Sequence, residues 1–109
     1  MFKVIKNEQD IKELFEITNF HDGFVEKIER ENNNVYLVIK ARDVFIGFML
    51  EDAETNLEVN VSNIIYSANM FIENNKICWV DNRNIKKMED ITSEEKYFIA
   101  SKVSYIRLK

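Results

Sequence analysis

The chain has 109 residues, 46% of them hydrophobic and 31% charged, with a net charge of −4. That length supports one hydrophobic core but hardly two, so a single domain over 1–109 is expected, and the apolar content is that of a folded protein. The negative balance speaks against a nucleic-acid partner, because neutralising phosphates takes clustered Lys and Arg, and only local groups such as Arg83, Lys86 and Lys87 are at hand.

Proline is absent and Gly23 and Gly47 are the only glycines, so turns fall to Asn, Asp and Ser, whose side chains bond to nearby backbone. The longest apolar run, Val44 to Leu50, is far shorter than the roughly 20 residues a membrane helix needs. The first residues carry no apolar stretch of signal length. A cytoplasmic protein without a membrane partner is expected, and a single Cys78, unable to form an internal disulfide, agrees with that.

Asn7 is a helix cap, with Glu8 and Asp10 placed to meet the positive end of the helix dipole. Ile11, Leu14, Phe15 and Thr18 then share one helical face, which predicts a helix over residues 8 to 18. Asn19 is its stop, and Asp22-Gly23 is a turn that reverses the chain into a strand from Phe24 to Arg30. Glu31 and three asparagines separate this from a second strand, Val35 to Ala41, whose apolar residues alternate onto one face, making a hairpin. Val44 to Leu50 reads as a strand, although Gly47 weakens any regular element. Leu57, Val59 and Val61, alternating with Glu58, Asn60 and Ser62, predict a further strand with one face in water. Residues 69–72 and 77–80 repeat the hairpin logic around Asn74-Asn75. Thr92 and Glu95 match a helix capping box, yet the aromatic and β-branched residues from Tyr97 onward favour a strand. The sum is an α+β fold: an N-terminal helix on a mainly antiparallel, curved sheet of about six strands, forming a sandwich or partial barrel.

The sole histidine sits in Phe20-His21-Asp22-Gly23, in the connection between helix and first strand. An imidazole beside a carboxylate can serve a site, but sequence neighbours rarely point at one substrate. The favoured role is a turn, in which His21 bonds a backbone carbonyl and Asp22 accepts backbone N–H groups before Gly23. The alternative is a small ligand-binding protein or enzyme with a pocket at His21 and Asp22.

One His and one Cys do not make a zinc set, and Glu51-Asp52-Ala53-Glu54 lacks the calcium-loop pattern, so no metal or other cofactor is expected. A thiol–imidazole pair would join Cys78 to His21, but Cys78 lies in an apolar strand, where thiols are buried and inert. Two distant glycines cannot build a phosphate loop, a dinucleotide turn or a nucleophile elbow. Catalytic residues are therefore not assigned, and the residues point away from an enzyme.

The order of helix, Phe20-His21-Asp22, strand, polar turn and alternating strand over residues 20 to 41 resembles a loose group of small uncharacterised bacterial proteins with a Phe-His-Asp motif before a β-hairpin. Some of these look like immunity proteins of polymorphic toxin systems. The resemblance implies a non-catalytic protein-interaction module whose acidic surface blocks a toxin, with His21 and Asp22 serving the fold. A homodimer through an unpaired edge strand is a further expectation.

Overall fold

The computed structural model describes residues 1–61 and 63–109. In chain order the elements are β1 (Lys3–Val4), α1 (Glu8–Ile17), β2 (Phe24–Glu31), β3 (Asn34–Ala41), β4 (Val44–Thr55), β5 (Asn69–Glu73), β6 (Lys76–Val80) and β7 (Tyr97–Arg107), with a 3-10 turn at Met88–Asp90. The strands form one antiparallel sheet in the order β2-β3-β4-β7-β6-β5, curved and unclosed, with the two-residue β1 added beside β7. The α+β class is as expected, and β1 brings the strand number to seven. Among the described residues no helix is long and apolar enough to cross a membrane.

Local chemistry explains most boundaries. Asn7 caps α1, its Oδ1 accepting the Asp10 N–H at 3.0 Å, and the helix ends at Ile17 with Thr18 as the C-cap. Ile11 and Leu14 face the core, and burial of Leu14 alone contributes roughly 2 kcal/mol. Lys3 bonds Glu13 and lies 3.6 Å from Asp10, which ties β1 to α1. In the β5–β6 turn both Asn74 and Asn75 adopt positive φ, 52° and 61°, as a two-residue hairpin with matching twist requires. The 92–95 segment keeps the bonding of a capping box, Glu95 Oε1 accepting from Thr92 N at 3.0 Å, but it closes a turn and the chain continues as β7.

Asp52 bends the sheet. Pairing of β3 with β4 ends at Leu50, whereas pairing of β4 with β7 continues to Thr55, and between these limits Asp52 takes φ 51°. Its N–H donates to Asn34 Oδ1 at 3.1 Å, and Ser101 Oγ donates to its carboxylate at 3.0 Å. Beyond this corner β4 pairs with β7, and one further bond, from Ala53 N–H to Asn33 O at 2.7 Å, ties it to the β2–β3 turn.

The strand expected from Leu57 to Val61 is not formed; Ser62, the last residue of that pattern, lies outside the described residues. The cause is Asn56, whose Nδ2 donates to Glu95 O at 2.6 Å while its Oδ1 accepts from Tyr97 N at 2.9 Å. An amide side chain thus occupies the next rung of the β4–β7 ladder, and the main chain leaves the sheet.

The main core gathers on the concave face from α1, β2, β3, β4, β6 and β7, around Leu14, Phe20, Phe48, Trp79 and Phe98, all fully buried. A smaller core of Phe71, Cys78, Val80 and Ile85 lies where the 81–96 segment covers the other side of β5 and β6.

Candidate functional site

The connection after α1 is built by two short side-chain bonds. Thr18 Oγ1 accepts the Phe20 N–H and Asn19 Oδ1 accepts the His21 N–H, each at 3.0 Å. They turn the chain into left-handed backbone at Phe20, φ 66°, and at Asp22, φ 61°. Such a conformation is costly for a bulky residue. It is offset by burial of the Phe20 ring, whose centroid lies 5.4 Å from Phe15, 5.9 Å from Phe48 and 5.8 Å from Trp79. Gly23 is needed for space: a Cβ there would lie 2.9 Å from Phe20 O and 3.0 Å from Lys40 O.

His21 is half-exposed, and its Nδ1 lies 2.6 Å from the carbonyl oxygen of Tyr66, 45 residues along the chain. A carbonyl only accepts, so Nδ1 carries the proton. The backbone carbonyl expected as the partner of the imidazole is present, but it belongs to a distant loop and not to the turn itself. Asp22 departs from expectation: its backbone N–H, not its carboxylate, makes the bond, donating to Ile65 O at 2.9 Å, while Gly23 O accepts from Ile65 N at 2.7 Å. The Asp22 carboxylate is exposed, with Oδ1 3.5 Å from His21 Nε2.

These contacts dock the 56–68 loop onto the start of β2. On the other side of the loop, Asp81 Oδ1 accepts from Tyr66 N at 2.9 Å and from Ser67 N at 2.8 Å, and its Oδ2 lies 3.3 Å from Lys96 Nζ. The Asp81 side chain is 3% exposed, which makes this carboxylate a buried post for the loop. Arg30 holds the near end by donating to Leu57 O at 2.9 Å. The loop therefore joins β4 to β5 while lying against β2, and it bridges the two free edges of the open sheet.

Between these fixed ends the described residues, 58–61, 63 and 64, are exposed. Val59 is 52% exposed, Val61 67% and Ile64 41%, and Tyr66 beside them 73%. A concavity of about 250 Å³ is lined by His21 itself together with Thr18, Asn19 and Arg42, among others, as the alternative of a pocket at His21 expects, although Asp22 is not among its lining residues.

Sequence reasoning found Phe20, His21, Asp22 and Gly23 as a unit, and the structure keeps them together as a turn. It missed Asp81, Lys96 and Arg30, which carry no local motif because their partners are remote in sequence. Cys78 is separated from His21 by strand alternation: Trp79 points to Phe20, and Cys78 points into the smaller core, where burial pushes its thiol up to about 11. Among the described residues, no group of three or more His, Cys, Asp and Glu is arranged to hold a metal ion. Comparison with protein-family models, curated proteins and solved structures finds no match for the chain.

Proposed function

We propose that the chain is a non-catalytic protein-interaction module, an immunity protein that binds and blocks a toxin through a lobe that carries Val59, Val61 and Ile64. The observation that carries this reading is the exposure of Val59, Val61 and Ile64 within one loop whose ends are held by Arg30, His21 and Asp81. Single exposed apolar residues are ordinary, but several on one lobe mark a contact surface. A loop on a fixed scaffold is the usual place for such a surface. The net charge of −4 suits a basic partner, which it would attract and orient.

The test is co-expression with the product of the gene adjacent to its own. A toxic neighbour whose toxicity is relieved, with a one-to-one complex recovered, is the expected result. In that complex Val61→Asp with Ile64→Asp should weaken binding at least about tenfold, as loss of apolar anchors does, without lowering the unfolding midpoint. Unchanged affinity in that variant would refute the assignment of the lobe.

A second reading rests on the concavity beside His21, where Asn19 and Arg42 offer polar groups to a small anionic ligand. It requires that inorganic phosphate or a carboxylic acid shift the His21 ring resonances in a saturable way, and that Arg42→Ala abolish the shift. Interaction through the lobe requires neither.

A further inference from the structure

The open sheet ends in β2 on one side and β5 on the other, and each has an edge without a neighbouring strand. The 56–68 loop is fastened to the beginning of β2, where Ile65 bonds Asp22 and Gly23. From Phe24 to Glu31, among the described residues, main-chain bonds reach β2 from β3 alone. Such an edge carries N–H and C=O groups that an added strand can satisfy. Charged side chains ordinarily deter that pairing, and on β2 their order decides whether they do.

From its bulge onward β2 reads Glu26-Lys27-Ile28-Glu29-Arg30-Glu31, in which Ile28 is the only uncharged residue and all the others are exposed. Residues opposite one another in an antiparallel pair share a face, and successive residues alternate between faces. Two copies of this strand joined about a two-fold axis, with their concave faces on the same side, therefore set one residue opposite its own copy. A centre at Glu26, Lys27, Glu29, Arg30 or Glu31 opposes a charge with itself. A centre at Ile28 sets isoleucine on isoleucine, Lys27 on Glu29 and Glu26 on Arg30, so every charge from 26 to 30 meets its opposite. The other edge lacks this symmetry: β5 reversed about Phe71 sets Glu73 on Asn69.

The contacts within one chain are compatible with that register. Glu29 lies opposite Tyr36, between the core residues Val35 and Leu37, so Lys27 and Glu29 stand on the side away from the core. They pair at 2.9 Å with side chains 57% and 62% exposed, and an ion pair so open to water contributes little alone. In the reversed arrangement each Lys27 lies between its own Glu29 and that of the second strand, so the existing pair is kept as half of an alternating quartet. Arg30 donates to Leu57 O at 2.9 Å through one nitrogen of its guanidinium, whose remaining donors are left for a carboxylate. We propose that the chain forms a homodimer by antiparallel pairing of β2 with β2 of a second copy, centred on Ile28, which joins the two sheets into one.

Sedimentation equilibrium of the full chain at rising concentration tests this. The parent should dimerise reversibly, with amide exchange slowed along β2 and unchanged along β5. Lys27→Glu and Glu29→Lys alter exposed side chains, and each sets like charges opposite one another at both symmetric positions. Each alone should raise the dissociation constant at least about tenfold, with an unchanged unfolding midpoint. Mixed in equal amounts the two variants should pair with each other, and the double exchange of Lys27→Glu with Glu29→Lys should dimerise as the parent does. A parent chain that stays monomeric up to about 1 mM, single variants that self-associate like the parent, a mixture that does not pair, or a double exchange that fails to dimerise would each overturn the proposal.

Discussion

Removing the carboxylate of Asp81 separates the contributions that hold the loop. Asp81 Oδ1 receives both loop amides, from Tyr66 at 2.9 Å and Ser67 at 2.8 Å, and Oδ2 faces Lys96 Nζ at 3.3 Å. Asp81→Ala deletes all three. Tyr66 is 73% exposed, so its N–H can turn to water, whereas Ser67 is half-buried and its N–H is left poorly satisfied. The Lys96 side chain, 23% exposed, can reach solvent in part. Breaking a fully buried pair costs about 3–5 kcal/mol, and the partial escape of two partners lowers the expected loss to about 2–3 kcal/mol. Asp81→Asn keeps an oxygen for both amides and loses only the attraction to Lys96, so about 1–2 kcal/mol is expected. Urea denaturation of parent, Ala and Asn chains measures the global terms, and amide exchange at Tyr66 and Ser67 reads the local one, slow in the parent and Asn chains and fast in the Ala chain. An Ala variant within about 0.5 kcal/mol of the parent, a change of the size usual for surface substitutions away from such features, or an Asn variant as unstable as the Ala variant, would refute this division of roles.

Two further outcomes follow from burial. Gly23→Ala drives a methyl group against two backbone carbonyls, and a loss of about 1–3 kcal/mol in urea is expected; a neutral substitution would mean that the turn relaxes freely. Cys78, with a thiol raised from 9.0 to about 11, keeps its proton in the folded state at pH values where the unfolded chain has lost it. Below pH 9 both states are protonated and the contribution to stability is complete; it is lost as pH rises from 9 to 11. Relative to Cys78→Ala, the parent should lose roughly 2–3 kcal/mol over that interval, and a difference between the two that stays flat with pH would contradict the buried, protonated thiol.

The parts legible in the sequence are those whose determinants are neighbours. Asn7 with Asp10 is a cap within one turn, Asn74-Asn75 is a hairpin within four residues, and the alternation from Val35 to Ala41 is read from a single strand. What was not legible depends on partners far away. Asp52 reads as an ordinary acidic residue until Asn34 and Ser101 meet it, and only then does it become a corner. The alternation at Leu57, Val59 and Val61 is a good strand pattern without an edge to join, because Asn56 has already taken the next rung. The Phe20 to Gly23 motif reads as a turn because it ends in Asp22-Gly23 and follows the helix stop Asn19. Its second purpose, the hold of His21 on Tyr66, spans 45 residues and has no local sign.

That hold links the turn to the loop on which the proposed function depends. The most direct test is the protonation pattern of the neutral His21 ring, read by nitrogen-15 NMR through its two-bond and three-bond couplings to the ring carbon protons. Donation from Nδ1 to Tyr66 O at 2.6 Å requires the Nδ1–H tautomer, and Tyr66 should carry a hydrogen-bonded carbonyl. A ring proton on Nε2, with Nδ1 bare and the loop amides unaffected by His21→Ala, would show that the imidazole does not hold the loop.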